Sequence, residues 1–239
     1  MNRPRVTPSV IPNLFTAMNM FCGFFSIVTA STGNFSYAAW LIFGGAIFDA
    51  LDGLVARLTN SSSELGVELD SLSDVVTFGA APSFLLYSTY FSEFGGYGII
   101  LASLPLIAGG FRLARFNVQL VGFEKSFFIG LPIPSCALTL ASFVLAFYDN
   151  GYPENISKII IPMILILSYL MVSNIRYETF PKLSWKGIKE KPLNILFVIA
   201  ALVLVLFAYT EGLFFIFVFM ILFGIFRHFY KWFTSKETD

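Results

Sequence analysis

Apolar residues run along this chain in long blocks, not in the short alternations of a half-buried sheet. Eight blocks stand out, at roughly 12–31, 36–58, 68–91, 96–115, 129–148, 157–174, 192–209 and 212–227. Each approaches the ~20 residues that a helix needs to cross the hydrocarbon core of a bilayer. The pattern therefore predicts an all-α integral membrane protein with about eight spans. The connections are short, except for a basic stretch at 176–191 that holds Arg176, Lys182, Lys186, Lys189 and Lys191. The tightest is Tyr209-Thr-Glu-Gly212, between the last two blocks. No internal repeat or soluble domain is visible. The first 11 residues are too polar, and the block after them too long, for a cleaved signal peptide.

Composition sharpens this picture. Of 239 residues, 56% are hydrophobic and only 13% charged, against ~25% charged in soluble domains. The 29 phenylalanines exceed what one soluble core of this size hides. Fifteen basic residues balance fifteen acidic ones, so no basic excess favours nucleic acid. The two cysteines, Cys22 and Cys136, lie in apolar blocks, and the single histidine, His228, reads as an interface residue beside Tyr230 and Trp232. Chemistry must then rest on carboxylates, hydroxyls, Arg or Lys.

Charge also sets the orientation. With the N-terminus in the cytoplasm, Arg3, Arg5, Arg57, Arg112, Arg115, Lys125, Arg176, Lys182, Lys186, Lys189, Lys191, Arg227, Lys231 and Lys236 fall inside and Lys158 alone outside, 14 of 15 basic residues. Both termini are expected in the cytoplasm, and the 176–191 stretch should face anionic lipid there.

Four aspartates interrupt the cytoplasmic ends of the second and third blocks. The sequence reads Asp49-Ala-Leu-Asp52-Gly53-Leu-Val-Ala56-Arg57, then eight residues, then Gly66-Val-Glu-Leu-Asp70-Ser-Leu-Ser-Asp74. Asp49, Asp52 and Ala56 share one helical face, as do Gly66, Asp70 and Asp74. The polar stretch 59–64 folds the two helices back on each other, so the faces can meet. Charges inside spans are costly and point to function. Carboxylate clusters suit hard divalent cations, Mg²⁺ or Mn²⁺, and two such ions form a clamp for phosphoryl chemistry. Gly53, Ala56 and Gly66 keep the surface low for a substrate, and Arg57 could hold a phosphate. Glu64 and Glu68 read as solvated. An aspartate-lined divalent-cation transporter is the competing reading, weakened because the aspartates gather at one membrane face.

The run resembles the signature of the CDP-alcohol phosphotransferase family, D-x2-D-G-x2-A-R-x8-G-x3-D-x3-D, with every fixed position present. The resemblance implies a six-helix membrane core at 1–175, followed here by the basic cytoplasmic loop 176–191 and by a C-terminal transmembrane hairpin and tail at 192–239. It implies two divalent ions, Mg²⁺ or Mn²⁺, on Asp49, Asp52, Asp70 and Asp74. It places the cytidine nucleotide over Gly53, Ala56, Arg57 and Gly66, and makes Asp74 the general base.

Three further stretches are similar to the branch of the family that uses L-serine. They are Ile11-Pro-Asn-Leu-Phe-Thr16-Ala-Met-Asn19-Met-Phe-Cys-Gly23, Phe111-Arg112-Leu-Ala-Arg115-Phe-Asn117 and Gly130-Leu-Pro132-Ile-Pro134-Ser135. The implied reaction transfers the phosphatidyl group of CDP-diacylglycerol to L-serine, giving phosphatidylserine and CMP. A sibling using glycerol 3-phosphate or inositol phosphate is the alternative. Asn13, Thr16, Asn19, Arg112, Arg115 and Asn117 are candidates for holding lipid phosphate or serine. Read from the residues alone, Asn13, Thr16 and Asn19 either face the site or pair with neighbouring helices. Arg112 and Arg115 either bind an anion or serve topology. The expected setting is the inner cell membrane, multi-pass, site to the cytoplasm, as a monomer or homodimer among membrane lipids.

Overall fold

The protein, described by a computed structural model over residues 10–59, 61, 63–120, 127–178 and 192–235, is built of membrane-length helices. Helices α1 (Val10–Ser31) and α2 (Phe35–Leu58) form an antiparallel hairpin. Gly33 takes the positive φ of its turn, and the Asn34 side chain accepts the Tyr37 N–H. Helix α3 (Glu64–Asp74) starts at Ser63, whose hydroxyl accepts the Gly66 N–H at 3.1 Å. It runs through a π-helical turn, Val75–Ala80, into α4 (Ala81–Thr89). A 3₁₀ turn, Phe91–Phe94, leads into α5 (Gly95–Leu120). Then come β1 (Phe127–Ile129), α6 (Ile133–Phe147), α7 (Glu154–Val172), β2 (Arg176–Glu178) and α8 (Pro192–Ser235).

Counting α3, the π turn and α4 as one unit, the first six predicted blocks become a six-helix bundle. Among the described residues, five helices are long and apolar enough to cross a membrane: Val10–Ser31, Phe35–Leu58, Phe91–Val118, Glu154–Val172 and Thr210–Tyr230, with Ile133–Phe147 shorter.

The bundle turns its small and polar side chains inward. On α1, Thr16, Asn19, Gly23, Ser26 and Ala30 are buried, while Leu14, Met18, Phe21, Phe24 and Val28 are exposed. Lipid tails are as apolar as leucine, so large side chains gain nothing by leaving them, and close backbone approach and hydrogen bonds hold the helices together. The Ser26 hydroxyl donates to the Ala38 carbonyl at 2.8 Å. Thr77 of the π turn sits in a notch made by Gly23 and Gly45. A Cβ on Gly23 would lie 2.6 Å from the Thr77 Cα, and one on Gly45 would strike the Thr77 methyl.

Two departures from the sequence pattern carry physical reasons. The fold is all-α in class as expected, with one short ribbon added: β1 and β2 pair antiparallel, Phe127 with Glu178, Phe128 with Tyr177 and Ile129 with Arg176. Three residues are too few to show the alternation by which a strand is read from sequence. Nor do the last two blocks form a hairpin. Helix α8 is continuous through Tyr209–Gly212, so the described residues do not show eight separate spans. That stretch has no proline, and one glycine costs a helix only ~1 kcal/mol. Along α8, the Phe214 ring packs on Phe143 and Phe147 near the C-terminal end of α6, and Gly224 meets the Tyr177 ring of β2. The later part of α8 thus runs toward the end of the bundle where β1 and β2 lie. Lys125 and most of the 176–191 stretch fall outside the described residues.

Candidate active site

The second half of α2, with Asp49 and Asp52, and the second half of α3, with Asp70 and Asp74, bring the aspartates together toward one end of the bundle. Ligand oxygens of Asp49, Asp70 and Asp74 all lie within 4.8 Å of one another. Asp49 and Asp74 are within hydrogen-bonding reach of each other, and the Arg112 guanidinium from α5 adds a positive charge beside Asp74. Asp74 is 8% exposed and Arg112 5%, so this charge is screened little by water.

Asp52 also interacts with Asp49 and Asp70 but has a partner of its own. Its Oδ2 accepts the Thr16 hydroxyl at 2.9 Å.

The chemistry of this donor set fits a hard divalent cation. Ionised carboxylates only accept, and three so close repel unless positive charge lies between them. Oδ1 of Asp70 and Oδ1 of Asp74 are buried with no hydrogen-bond partner, although buried polar atoms nearly always find one. A divalent cation would supply what these oxygens lack.

The small residues beside the cluster differ in their surroundings. Nothing lies within 4 Å of a Cβ placed on Gly53. A Cβ on Gly66 would come 3.1 Å from the Ser63 hydroxyl and 3.3 Å from Asn13 Oδ1, so Asn13 borders this surface. Ala56 is half-buried, and Arg57 is exposed, as are Glu64 and Glu68.

The other candidates divide by their contacts. Thr16 and Asn19 face into the bundle, 3% and 0% exposed. Asn117 donates to the Ser71 hydroxyl at 2.9 Å, tying α5 to α3 one residue from Asp70. Arg115 lies one turn beyond Arg112 and donates to main-chain carbonyls of Val172 at 3.0 Å, Ile129 at 3.2 Å, Ser173 at 3.2 Å and Met171 at 3.5 Å. Its fork closes the C-terminal end of α7 onto the start of the β1 connection, where carbonyls have no helical partner.

Several contributors escape the sequence pattern. The Ser73 hydroxyl donates to the Thr16 carbonyl at 3.0 Å, and the Thr77 hydroxyl to the Asn19 carbonyl at 2.8 Å. These two bonds fix the helix carrying Asp70 and Asp74 against α1. The π turn opens directly after Asp74, a placement common at functional sites. Its one signal in the sequence is Pro82, which has no N–H to donate back along the helix.

Residues 9–172 match the CDP-alcohol phosphatidyltransferase family. The chain is 45% identical over 179 residues to a CDP-diacylglycerol–serine O-phosphatidyltransferase of Helicobacter pylori, covering 74% of this chain and 75% of that protein. It is 37% identical over 177 residues to the Bacillus subtilis protein of the same name, covering 72% and 92%. It is 38% identical over 180 residues to an archaetidylserine synthase of Methanothermobacter thermautotrophicus, covering 74% and 73%. The matched span contains the whole six-helix bundle and all four aspartates, and with it the chain belongs to the CDP-alcohol phosphatidyltransferase family of enzymes.

Proposed function

We propose that the protein transfers the phosphatidyl group of CDP-diacylglycerol to L-serine, releasing CMP and phosphatidylserine. The observation that carries the chemistry is the meeting of Asp49, Asp70 and Asp74 around unpartnered carboxylate oxygens. The choice of serine is supported by the names of the relatives.

Asp49, Asp52, Asp70 and Asp74 would hold two divalent ions, Mg²⁺ or Mn²⁺. Bound there, the ions neutralise the diphosphate and the charge that grows on departing CMP. The open ground at Gly53, bordered by Ala56, Gly66 and Arg57, receives the nucleotide end of the lipid. Asp74 takes the proton of the serine hydroxyl as that oxygen attacks the β-phosphorus. Arg112, buried beside Asp74, offers the positive charge that a serine carboxylate or the lipid phosphate needs. Asn13, Asn19 and Asn117 are proposed to complete the acceptor side. The site end is proposed to face the cytoplasm of the inner cell membrane, an orientation supported by Arg57, Arg112 and Arg115, which all lie toward that end of the bundle.

A phosphorylated acceptor would bring extra negative charge, and Arg115, the next arginine along α5, is already engaged with carbonyls. CMP release by detergent-purified protein, with a panel of acceptors, tests this reading. L-serine should support turnover far above glycerol 3-phosphate or inositol phosphate. Turnover with glycerol 3-phosphate and none with serine would discard the serine assignment.

A further inference from the structure

The four aspartates are not equivalent. Oδ1 of Asp70 and of Asp74 lacks any hydrogen-bond partner, and these residues converge with Asp49. Asp52 is held by a neighbour on α1: the Thr16 hydroxyl lies 2.9 Å from Oδ2. Thr16 and Asp52 are 3% and 6% exposed, so water does not compete for this bond. Thr16 is itself fixed, because its carbonyl accepts the Ser73 hydroxyl at 3.0 Å and Ser73 is adjacent to Asp74. Its hydroxyl carries one proton and has two acceptors in reach, Asp52 Oδ2 at 2.9 Å and the Pro12 carbonyl at 3.2 Å. The shorter contact is to a carboxylate, the stronger acceptor.

We propose that Thr16 is a positioning residue for Asp52. By donating to Oδ2, its hydroxyl fixes the plane of the carboxylate and leaves Oδ1 as the oxygen offered to a divalent ion, so α1 sets the geometry of a ligand carried on α2. The proposal rests on the divalent-ion reading of the aspartates. It moves Thr16 from contact with substrate, where its sequence position alone could put it, to a role exerted through another side chain. A partner of this kind orients a ligand before the ion arrives, and losing one typically lowers metal affinity 10–100-fold.

The test uses full-length protein in detergent and reads the melting temperature against Mn²⁺ concentration, with no substrate present. Wild type should show a saturable rise. Thr16→Val, which keeps the shape and loses the donor, should need roughly tenfold more Mn²⁺ or greater for the same rise. Thr16→Ser, which keeps the donor, should follow wild type. In the Asp52→Asn background, Thr16→Val should add no further loss, because its partner is already altered. If Thr16→Val does not purify folded, Thr16→Ala reads the same quantity. Wild-type Mn²⁺ dependence in Thr16→Val, or an undiminished extra loss on top of Asp52→Asn, would overturn the role of Thr16. No saturable rise in wild type would instead remove the divalent-ion reading, and the proposal with it.

Discussion

Asp74 sits where three influences meet: the carboxylates of Asp49 and Asp70, the guanidinium of Arg112, and the π turn that opens immediately after it. A base acts mainly in the transition state, so if Asp74 is the proposed base its loss should fall more on turnover than on binding. Asp74→Asn is expected to lower kcat for CMP release at least 10²-fold, a larger loss than it causes in CDP-diacylglycerol binding. Comparison of single-turnover rate with equilibrium lipid binding checks this, and near wild-type CMP release would rule out Asp74 as base. Arg115 predicts a different outcome. Its guanidinium is committed to main-chain carbonyls of β1 and of the α7 end, so Arg115→Ala should destabilise the detergent-solubilised protein by about 2 kcal/mol. Thermal denaturation reads this, and an unchanged melting temperature would return Arg115 to the list of substrate contacts. The aspartates were legible in the sequence because helical spacing alone puts them on two facing stripes. The work of Thr16, Ser73, Thr77 and Arg115 was not, because each acts on a group 14 or more residues away.

At the scale of elements, the six blocks that became the bundle were plain in the hydropathy pattern, since the length needed to cross lipid fixes their size. The π turn was hidden because Val75–Ala80 carries ordinary helix-compatible residues, with only Pro82 downstream as a sign. The packing of Thr77 against Gly23 and Gly45 then locks the turn in place. Gly23→Ala meets the Thr77 backbone, which cannot swing away as a flexible side chain would, and should cost about 1–3 kcal/mol in thermal denaturation. Gly53→Ala meets nothing within 4 Å. It should leave the melting temperature intact yet raise KM for CDP-diacylglycerol, if that open ground receives the nucleotide. Equal loss of stability in both variants would contradict this division between a packing glycine and a binding glycine. The continuity of α8 was obscured because Tyr209-Thr-Glu-Gly212 looks like a polar interruption, whereas polar residues alone do not break a helix.

For the whole molecule, one end of the bundle gathers the aspartates, Arg112, Arg115, the β1–β2 ribbon and the later turns of α8. The proposed orientation turns that end to the cytoplasm. A cysteine placed at Ser61, between α2 and α3, should resist a membrane-impermeant maleimide in sealed cells and react after permeabilisation. Cys22 and Cys136 are 7% and 1% exposed, so they add little background. Ready labelling in sealed cells would reverse the orientation. The central claim joins the aspartate cluster, the divalent ion and serine, and one measurement addresses all three: transfer of isotopically labelled L-serine into lipid by purified protein with CDP-diacylglycerol. The account predicts one CMP released per labelled phosphatidylserine formed, none of either after chelation of divalent ions, and recovery on adding Mg²⁺ or Mn²⁺. Full transfer in the presence of chelator, or CMP release with no label entering lipid, would contradict it.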